Sequence, residues 1–216
     1  MQKTKIKTLL VANRGEIALR IMRTAKSLGI GTIAIYAKAD ADAPHRHFAD
    51  EAIFIGDDAE EKTYLNADKI IAVAKQAKAD ALHPGYGFLS ENADFAEAVR
   101  ANGIIFVGPP AEAIALMGNK AAAKRRMIEA GVPCVPGYEG EDQTDTGLIA
   151  QAEKIGLPLM VKAAAGGGGR GMRLVLDKND LQDAIKTARL EAENAFGSAE
   201  LILEKAISSP RHVEVQ

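Results

Sequence analysis

The sequence predicts an α/β fold: a doubly wound parallel-sheet domain, followed by a smaller α+β unit. Three observations predict it. Short apolar runs alternate with segments of helical period as far as residue 107. A stiff Gly/Pro segment, Gly131-Val132-Pro133-Cys134-Val135-Pro136-Gly137, then breaks the rhythm, since it cannot be helical throughout. Beyond it, a glycine loop lies between two apolar runs, with a long helical pattern after them.

The elements follow in order. Thr8–Ala12 is a short apolar run and reads as a buried strand, and Glu16–Leu28 repeats apolar residues near every 3.6 positions, with Gly29 as its C-cap. Thr32–Tyr36 and Ala52–Ile55 are further strands. Asn66–Lys78 is helical, Asp80–His83 a strand, Glu91–Asn102 helical, and Ile104–Val107 a strand that stops at Gly108-Pro109-Pro110. Strands alternating with helices imply a parallel sheet covered on both faces. Right-handed crossovers then make the domain Rossmann-like. Two further helical pieces, Ala111–Met117 and Lys120–Ala130, are broken at Gly118-Asn119. After the Gly/Pro segment come a helix over Thr146–Ile155, strands over Leu159–Ala163 and Met172–Leu176, a helix over Asn179–Phe196 and a strand over Glu200–Glu204. This second unit has little core to draw on and is expected to be mobile. His212-Val213-Glu214-Val215-Gln216 alternates like a strand entering a sheet, so the chain is expected to be the N-terminal part of a longer protein.

Composition excludes several functions. The 216 residues are 47% hydrophobic and 26% charged, which argues against disorder. Lys plus Arg is 27 against 29 for Asp plus Glu, a net charge of -2 that gives no whole-chain attraction to nucleic acid. No run of apolar residues is long enough for a membrane-spanning helix. The apolar stretch after the basic N-terminus is too short for a signal-peptide core. The single cysteine, Cys134, excludes an internal disulfide and a Cys-cluster zinc site, and points to a reducing compartment.

The chemistry concentrates at Lys162-Ala163-Ala164-Ala165-Gly166-Gly167-Gly168-Gly169-Arg170-Gly171. Consecutive glycines cost backbone entropy, and they allow a loop to wrap a ligand with several N–H groups aimed at phosphate oxygens. Lys162, at the end of the preceding strand, adds a point charge. The alternative is a hairpin tip with an incidental lysine. Three known phosphate motifs fail. Gly166, Gly168 and Gly171 match the spacing G-x-G-x-x-G, but a strand and not a helix follows. No G-x-x-x-x-G-K-[ST] occurs. A kinase loop also joins two strands, but H-R-D and D-F-G are absent.

Five segments carry a family resemblance. They are Ala12–Ala18 (A-N-R-G-E-I-A), His83–Asn92 (H-P-G-Y-G-F-L-S-E-N), Met117–Lys120 (M-G-N-K), the glycine loop, and Pro210–Glu214 (P-R-H-V-E). In this order and over essentially the whole chain, they make it resemble the N-terminal half of biotin carboxylase, the ATP-grasp component of biotin-dependent carboxylases. The resemblance implies a Rossmann-like domain over residues 1–117, a helical linker over 118–137, a small α+β ATP-grasp lid over 138–204, and the first strand of a third domain from 205 to 216. It implies that Lys120 and Lys162 hold ATP phosphates and that Gly168 and Gly169 close over them. Glu204, Lys205, Ala206 and Ile207 would form the hinge facing adenine, and His212 would contact the nucleotide. Glu91 is implied only as a residue behind the site. The reaction implied uses MgATP (Mn2+ in place of Mg2+ is compatible) and bicarbonate to carboxylate biotin on a carrier domain. Catalytic residues and metal ligands are expected beyond Gln216, so the 216 residues alone are expected to hydrolyse ATP weakly or not at all.

The implied partners are a biotin carboxyl carrier domain, a carboxyltransferase subunit and a second copy of the chain, with no nucleic acid and no membrane. The implied compartment is bacterial cytoplasm or mitochondrial matrix. Ala195-Phe196-Gly197-Ser198 and Glu204-Lys205-Ala206 resemble acyl-CoA carboxylase α subunits of methylcrotonoyl-CoA or geranoyl-CoA type. Two alternatives stay open: another ATP-grasp ligase, and a non-catalytic nucleotide-binding or dimerising module. Taken singly, Lys120 also reads as a solvated helix lysine, Lys162 as a structural strand-end residue and His212 as an edge-strand residue. Lys124, Arg125 and Arg126 read as a solvated face. His45, His47 and Cys134 read as structural or incidental. Arg14, Glu16 and Arg20 fit either a dimer contact of the family or a salt-bridged helix surface.

Overall fold

The computed structural model describes residues 6–166, 171–211 and 213. Gly168, Gly169, His212 and the strand expected over His212–Gln216 lie outside the described residues. The chain forms two compact units, Met1–Ala115 and Leu116–Gln216.

In the first unit, β1 (Thr8–Val11), β2 (Gly31–Ala37), β3 (Glu51–Gly56), β4 (Ala81–His83) and β5 (Ile105–Phe106) form a parallel sheet in the order β3-β2-β1-β4-β5. Helices α1 (Gly15–Ser27), α2 (Pro44–Phe48), α3 (Ala67–Gln76) and α4 (Ala93–Ala101) connect the strands. This is the doubly wound arrangement the alternation predicts. The unbroken apolar runs are explained by burial on both faces. Leu10 packs into one cluster with Ile33, Ile35, Leu82 and Phe95, while Leu9 and Val11 join a second with Met22 and Ala34.

Two helix starts move inward because asparagines cap them. Asn66 accepts from the Lys69 N–H and Asn92 from the Phe95 N–H, so the helices begin at Ala67 and Ala93. The five-residue α2 has no periodicity to read and was not predicted.

The His45 reading as a structural residue has a specific form. The side chain is buried, its Nδ1 accepts from the Gly15 N–H at the start of α1, and its Nε2 faces the Ile35 carbonyl. Because Gly15 can only donate, the proton sits on Nε2 and the ring is neutral. Burial lowers its pKa, and the Ile35 carbonyl and Asp40 oppose this only in part. The unfolded chain therefore takes up a proton first. Stability is full above the ordinary imidazole pKa and falls as pH drops through about 6.5. Half-buried His83, also lowered mainly by burial, adds the same sign. Urea unfolding at about pH 5.5 and 7.5 should show this slope, and His45→Gln should reduce it without abolishing it.

In the second unit, β6 (Gly137–Tyr138), β7 (Leu159–Ala163), β8 (Met172–Val175) and β9 (Leu201–Lys205) make an antiparallel sheet in the order β6-β9-β7-β8. Its helices are α6 (Lys120–Glu129), α7 (Asp145–Ile155) and α8 (Leu181–Phe196), and α5 (Ala111–Gly118) spans the division between the units. Strand β6 was not predicted; two residues carry no alternation. Helix α8 starts two residues later than its pattern suggests, because Asp177 caps a 3-10 turn over Lys178–Asp180. One sheet face packs Leu159, Val161, Leu201 and Leu203 against Leu148 and Ile185. The opposite face is left for a site. No helix among the described residues is long and apolar enough to cross a membrane.

Candidate functional site

Strand alternation builds the open face of the second sheet. Leu159, Val161 and Ala163 are buried in the core, so Met160 and Lys162 point the other way. Cross-strand register sets Met172 beside Lys162, Leu174 beside Met160, and Glu204 beside Met160 on the other edge. Helix α6 lies over this face, where Ala121 packs with Ala164 and Ile202. Asn119 anchors its start: its side-chain oxygen accepts from the Ala122 N–H at 2.8 Å, and its amide donates to Glu200 at 2.9 Å. The Lys120 N–H donates to the Ala164 carbonyl at 2.9 Å, which fixes Lys120 at the end of β7.

The result is a cleft of about 430 Å³ lined by Lys120, Lys124, Lys162, Met172, Ile202 and Glu204, with Met117, Met127, Cys134 and Val135 among its apolar walls. A second hollow of about 270 Å³ shares Val135, Lys162, Met172 and Glu204 with it and extends to Lys205, Ala206 and Ile207. The cleft thus holds three lysines and one carboxylate, and its extension adds Met160, Leu174, Ala206 and Ile207, a mostly apolar lining. A polyanion attached to a flat apolar ring fits that polarity.

Glu204 is the centre of the charge arrangement. Its Oε2 accepts from Lys162 and its Oε1 from Lys124 at 3.1 Å. Burial alone would raise its pKa, but Lys162, followed by Lys124, outweighs this and holds the carboxyl below the usual glutamate range. The Lys120 ammonium donates to the Gly166 carbonyl at the root of the glycine loop. Lys205 turns its ammonium to the Leu157 carbonyl at 2.6 Å, and the Ala206 N–H donates to the Pro158 carbonyl at 2.9 Å, so the segment after β9 is tied to the chain before β7.

Of the residues singled out from the sequence, the structure therefore brings Lys120, Lys162 and Glu204 to one cleft, with Lys205, Ala206 and Ile207 along its extension. Glu91 belongs to the first unit, where it is exposed in the loop after β4. The reading of Lys124 as part of a solvated face is corrected. Its side chain is only 8% exposed and pairs with both Glu204 and Glu139. Locally, only its place one helical turn from Lys120 sets Lys124 apart from Arg125 and Arg126.

The loop His83–Asn92 is built on the first sheet's C-terminal edge. Gly85 and Gly87 have positive φ. Buried Asn13 donates to the Pro84 carbonyl at 2.7 Å and the Tyr86 carbonyl at 2.8 Å. Gly85 passes so close to the Asn13 amide that a Cβ there would collide with it. Arg14 pairs with Asp40, and Tyr86 donates to Glu16. Both contacts are within the unit.

Comparison with known proteins agrees with this geometry. Residues 5–114 match the family model for the biotin carboxylase N-terminal domain, and residues 119–216 that for the carbamoyl-phosphate synthase L chain ATP-binding domain. A mitochondrial methylcrotonoyl-CoA carboxylase subunit alpha from Dictyostelium discoideum is 52% identical over 211 residues, 98% of this chain and 30% of that protein. The crystal structure of a biotin carboxylase–β,γ-ATP complex from Campylobacter jejuni superposes with a TM-score of 0.92 at 48% identity, covering 96% of this chain and 46% of that one. The biotin carboxylase domain dimer of Hydrogenobacter thermophilus 2-oxoglutarate carboxylase, in complex with MgADP, ADP and bicarbonate, gives 0.88 at 46% identity, covering 94% and 45%. A parallel α/β unit followed by an antiparallel nucleotide-type sheet is the ATP-grasp ligase class, and within it this chain belongs to the biotin carboxylase family. It spans 30% to 46% of the length of these relatives.

Proposed function

We propose that this chain forms part of the nucleotide site of a biotin carboxylase, which uses MgATP and bicarbonate to carboxylate biotin on a carrier domain. The observation that supports this most is the convergence of Lys120, Lys162 and Glu204 on one cleft whose extension is mostly apolar. Lys120 and Lys162 neutralise charge on the phosphates, and the Glu204–Ile207 segment faces adenine. Gly168 and Gly169 close over the phosphates and His212 contacts the nucleotide at the start of a third domain. Residues 1–117 act as the N-terminal domain, 118–137 as a linker and 138–204 as the lid, with Glu91 behind the site. Phosphoryl transfer depends mostly on positioning and charge neutralisation, which these residues suit.

Magnesium requires oxygen ligands. Among the described residues no three His, Cys, Asp or Glu side chains come together. Glu204 is engaged by two lysines. With Glu204 so engaged, the oxygen ligands for magnesium are expected from outside these residues.

The carboxylase is an acyl-CoA carboxylase α subunit of methylcrotonoyl-CoA or geranoyl-CoA type, the former supported by the Dictyostelium relative. It works with a carrier domain, a carboxyltransferase subunit and a second copy of itself, in bacterial cytoplasm or the mitochondrial matrix. The test is ATP hydrolysis by the intact protein with Mg2+ and bicarbonate, with and without free biotin. Biotin should raise the rate. ATP turnover that ignores biotin would replace this reading with another ATP-grasp ligase.

A further inference from the structure

Lys124 takes no part in holding the nucleotide in the reading above, yet its side chain is more enclosed than that of Lys162. Its ammonium lies 3.1 Å from Glu204 Oε1 and 3.5 Å from Glu139 Oε2, and all three side chains are less than a fifth exposed. The Glu139 Oε2 atom is buried and accepts no hydrogen bond, so the charge of Lys124 is what compensates it. With Lys162 on Glu204 Oε2, the four groups form a chain, Glu139–Lys124–Glu204–Lys162, of two negative and two positive charges. Gly137 makes room for it. A Cβ at that position would run into the Lys124 ammonium and the Leu203 carbonyl.

The two lysines on Glu204 differ in freedom. Lys162 is at the open end, its side chain 25% exposed, while Lys124 is held at 8% between two acids. If Lys162 binds a phosphate, it leaves Glu204. Without Lys124, Glu204 would then be a half-buried carboxylate with no counter-ion, which is costly, so it would compete with the phosphates for Lys162. We propose that Lys124 is a positioning residue that keeps Glu204 paired and so releases Lys162 to the nucleotide phosphates. This rests on the nucleotide reading above.

The test compares dissociation constants of MgATP and adenosine on the intact protein by calorimetry. The variants are Lys124→Met, Lys124→Arg, Glu204→Gln and the double variant Lys124→Met/Glu204→Gln. Lys124→Met should weaken MgATP by about tenfold and adenosine by less than about threefold, and Lys124→Arg should retain most of the affinity. With Glu204→Gln in place, Lys162 is already free, so adding Lys124→Met should change MgATP binding by less than about twofold. Lys124→Gln, which keeps a polar group against both acids, is read the same way should the methionine variant not fold. Unchanged MgATP affinity in Lys124→Met, or an equal loss with and without the Glu204 carboxylate, would overturn the positioning role. Failure of the wild-type protein to bind MgATP would instead overturn the nucleotide reading, and this inference with it.

Discussion

Lys162→Ala is expected to lower biotin-dependent ATP turnover by about a hundredfold or more, the size of effect that follows when one preorganised charge is taken from a transition state. The side chain leaves β7 on the open sheet face, between Met172 on one neighbouring strand and Ile202 on the other. Backbone pairing on both sides fixes its root. Its removal should leave the fold intact, because Glu204 keeps Lys124 and the core of the second unit lies on the other face. Lys162→Arg should rescue poorly, since a planar guanidinium cannot reproduce a compact ammonium in a slot walled by methionine and isoleucine. Lys120→Ala should also lower turnover, by about tenfold, because its ammonium is already directed at the loop root through the Gly166 carbonyl. Steady-state rates, with circular dichroism as the fold control, decide the matter. A Lys162→Ala enzyme within about threefold of wild type would remove Lys162 from the chemistry.

How much of this could be read from the sequence depended on the range of the interaction. The parallel sheet was legible because Thr8–Val11 and Gly31–Ala37 are apolar at successive positions, as burial on both faces demands. The facing of Lys162 was legible because Leu159, Val161 and Ala163 alternate with it. The start of α4 was nearly so: the helical pattern begins at Glu91, and Asn92 does the capping. What could not be read were pairings made by tertiary structure alone. Lys124 meets Glu204, 80 positions away, and nothing local distinguishes it from Arg125 and Arg126 except its place one turn from Lys120. Strand β6 exists because Gly137 and Tyr138 pair with β9, and its two residues carry no pattern of their own. The second unit also buries a continuous core between its sheet and α7 and α8, more than its length led one to expect.

Asn13→Ala should destabilise the first unit by about 3 kcal/mol, enough to lower its melting temperature by roughly 10 °C or more. Asn13 is 2% exposed, and its amide performs three tasks. Its nitrogen donates to the Pro84 and Tyr86 carbonyls, and its oxygen accepts from the Arg14 N–H at 2.9 Å. Alanine would strand both carbonyls and one N–H and leave a small void. Asn13→Asp separates the tasks. It keeps the acceptor for Arg14 but turns an oxygen on two carbonyls, so it should be at least as damaging as alanine at neutral pH. Acid that protonates the aspartate should recover part of the loss, since one donor returns. The consequence reaches beyond stability. Gly85 is left-handed at φ +68° and packs directly on the Asn13 amide, so the loop holding Tyr86 and Phe88 takes its path from this one side chain. Hydrogen exchange at Gly87 to Ser90 should therefore quicken in Asn13→Ala before the sheet itself unfolds. Exchange that rises equally across β1 and β4 would show Asn13 to be an ordinary core residue with no particular hold on the loop.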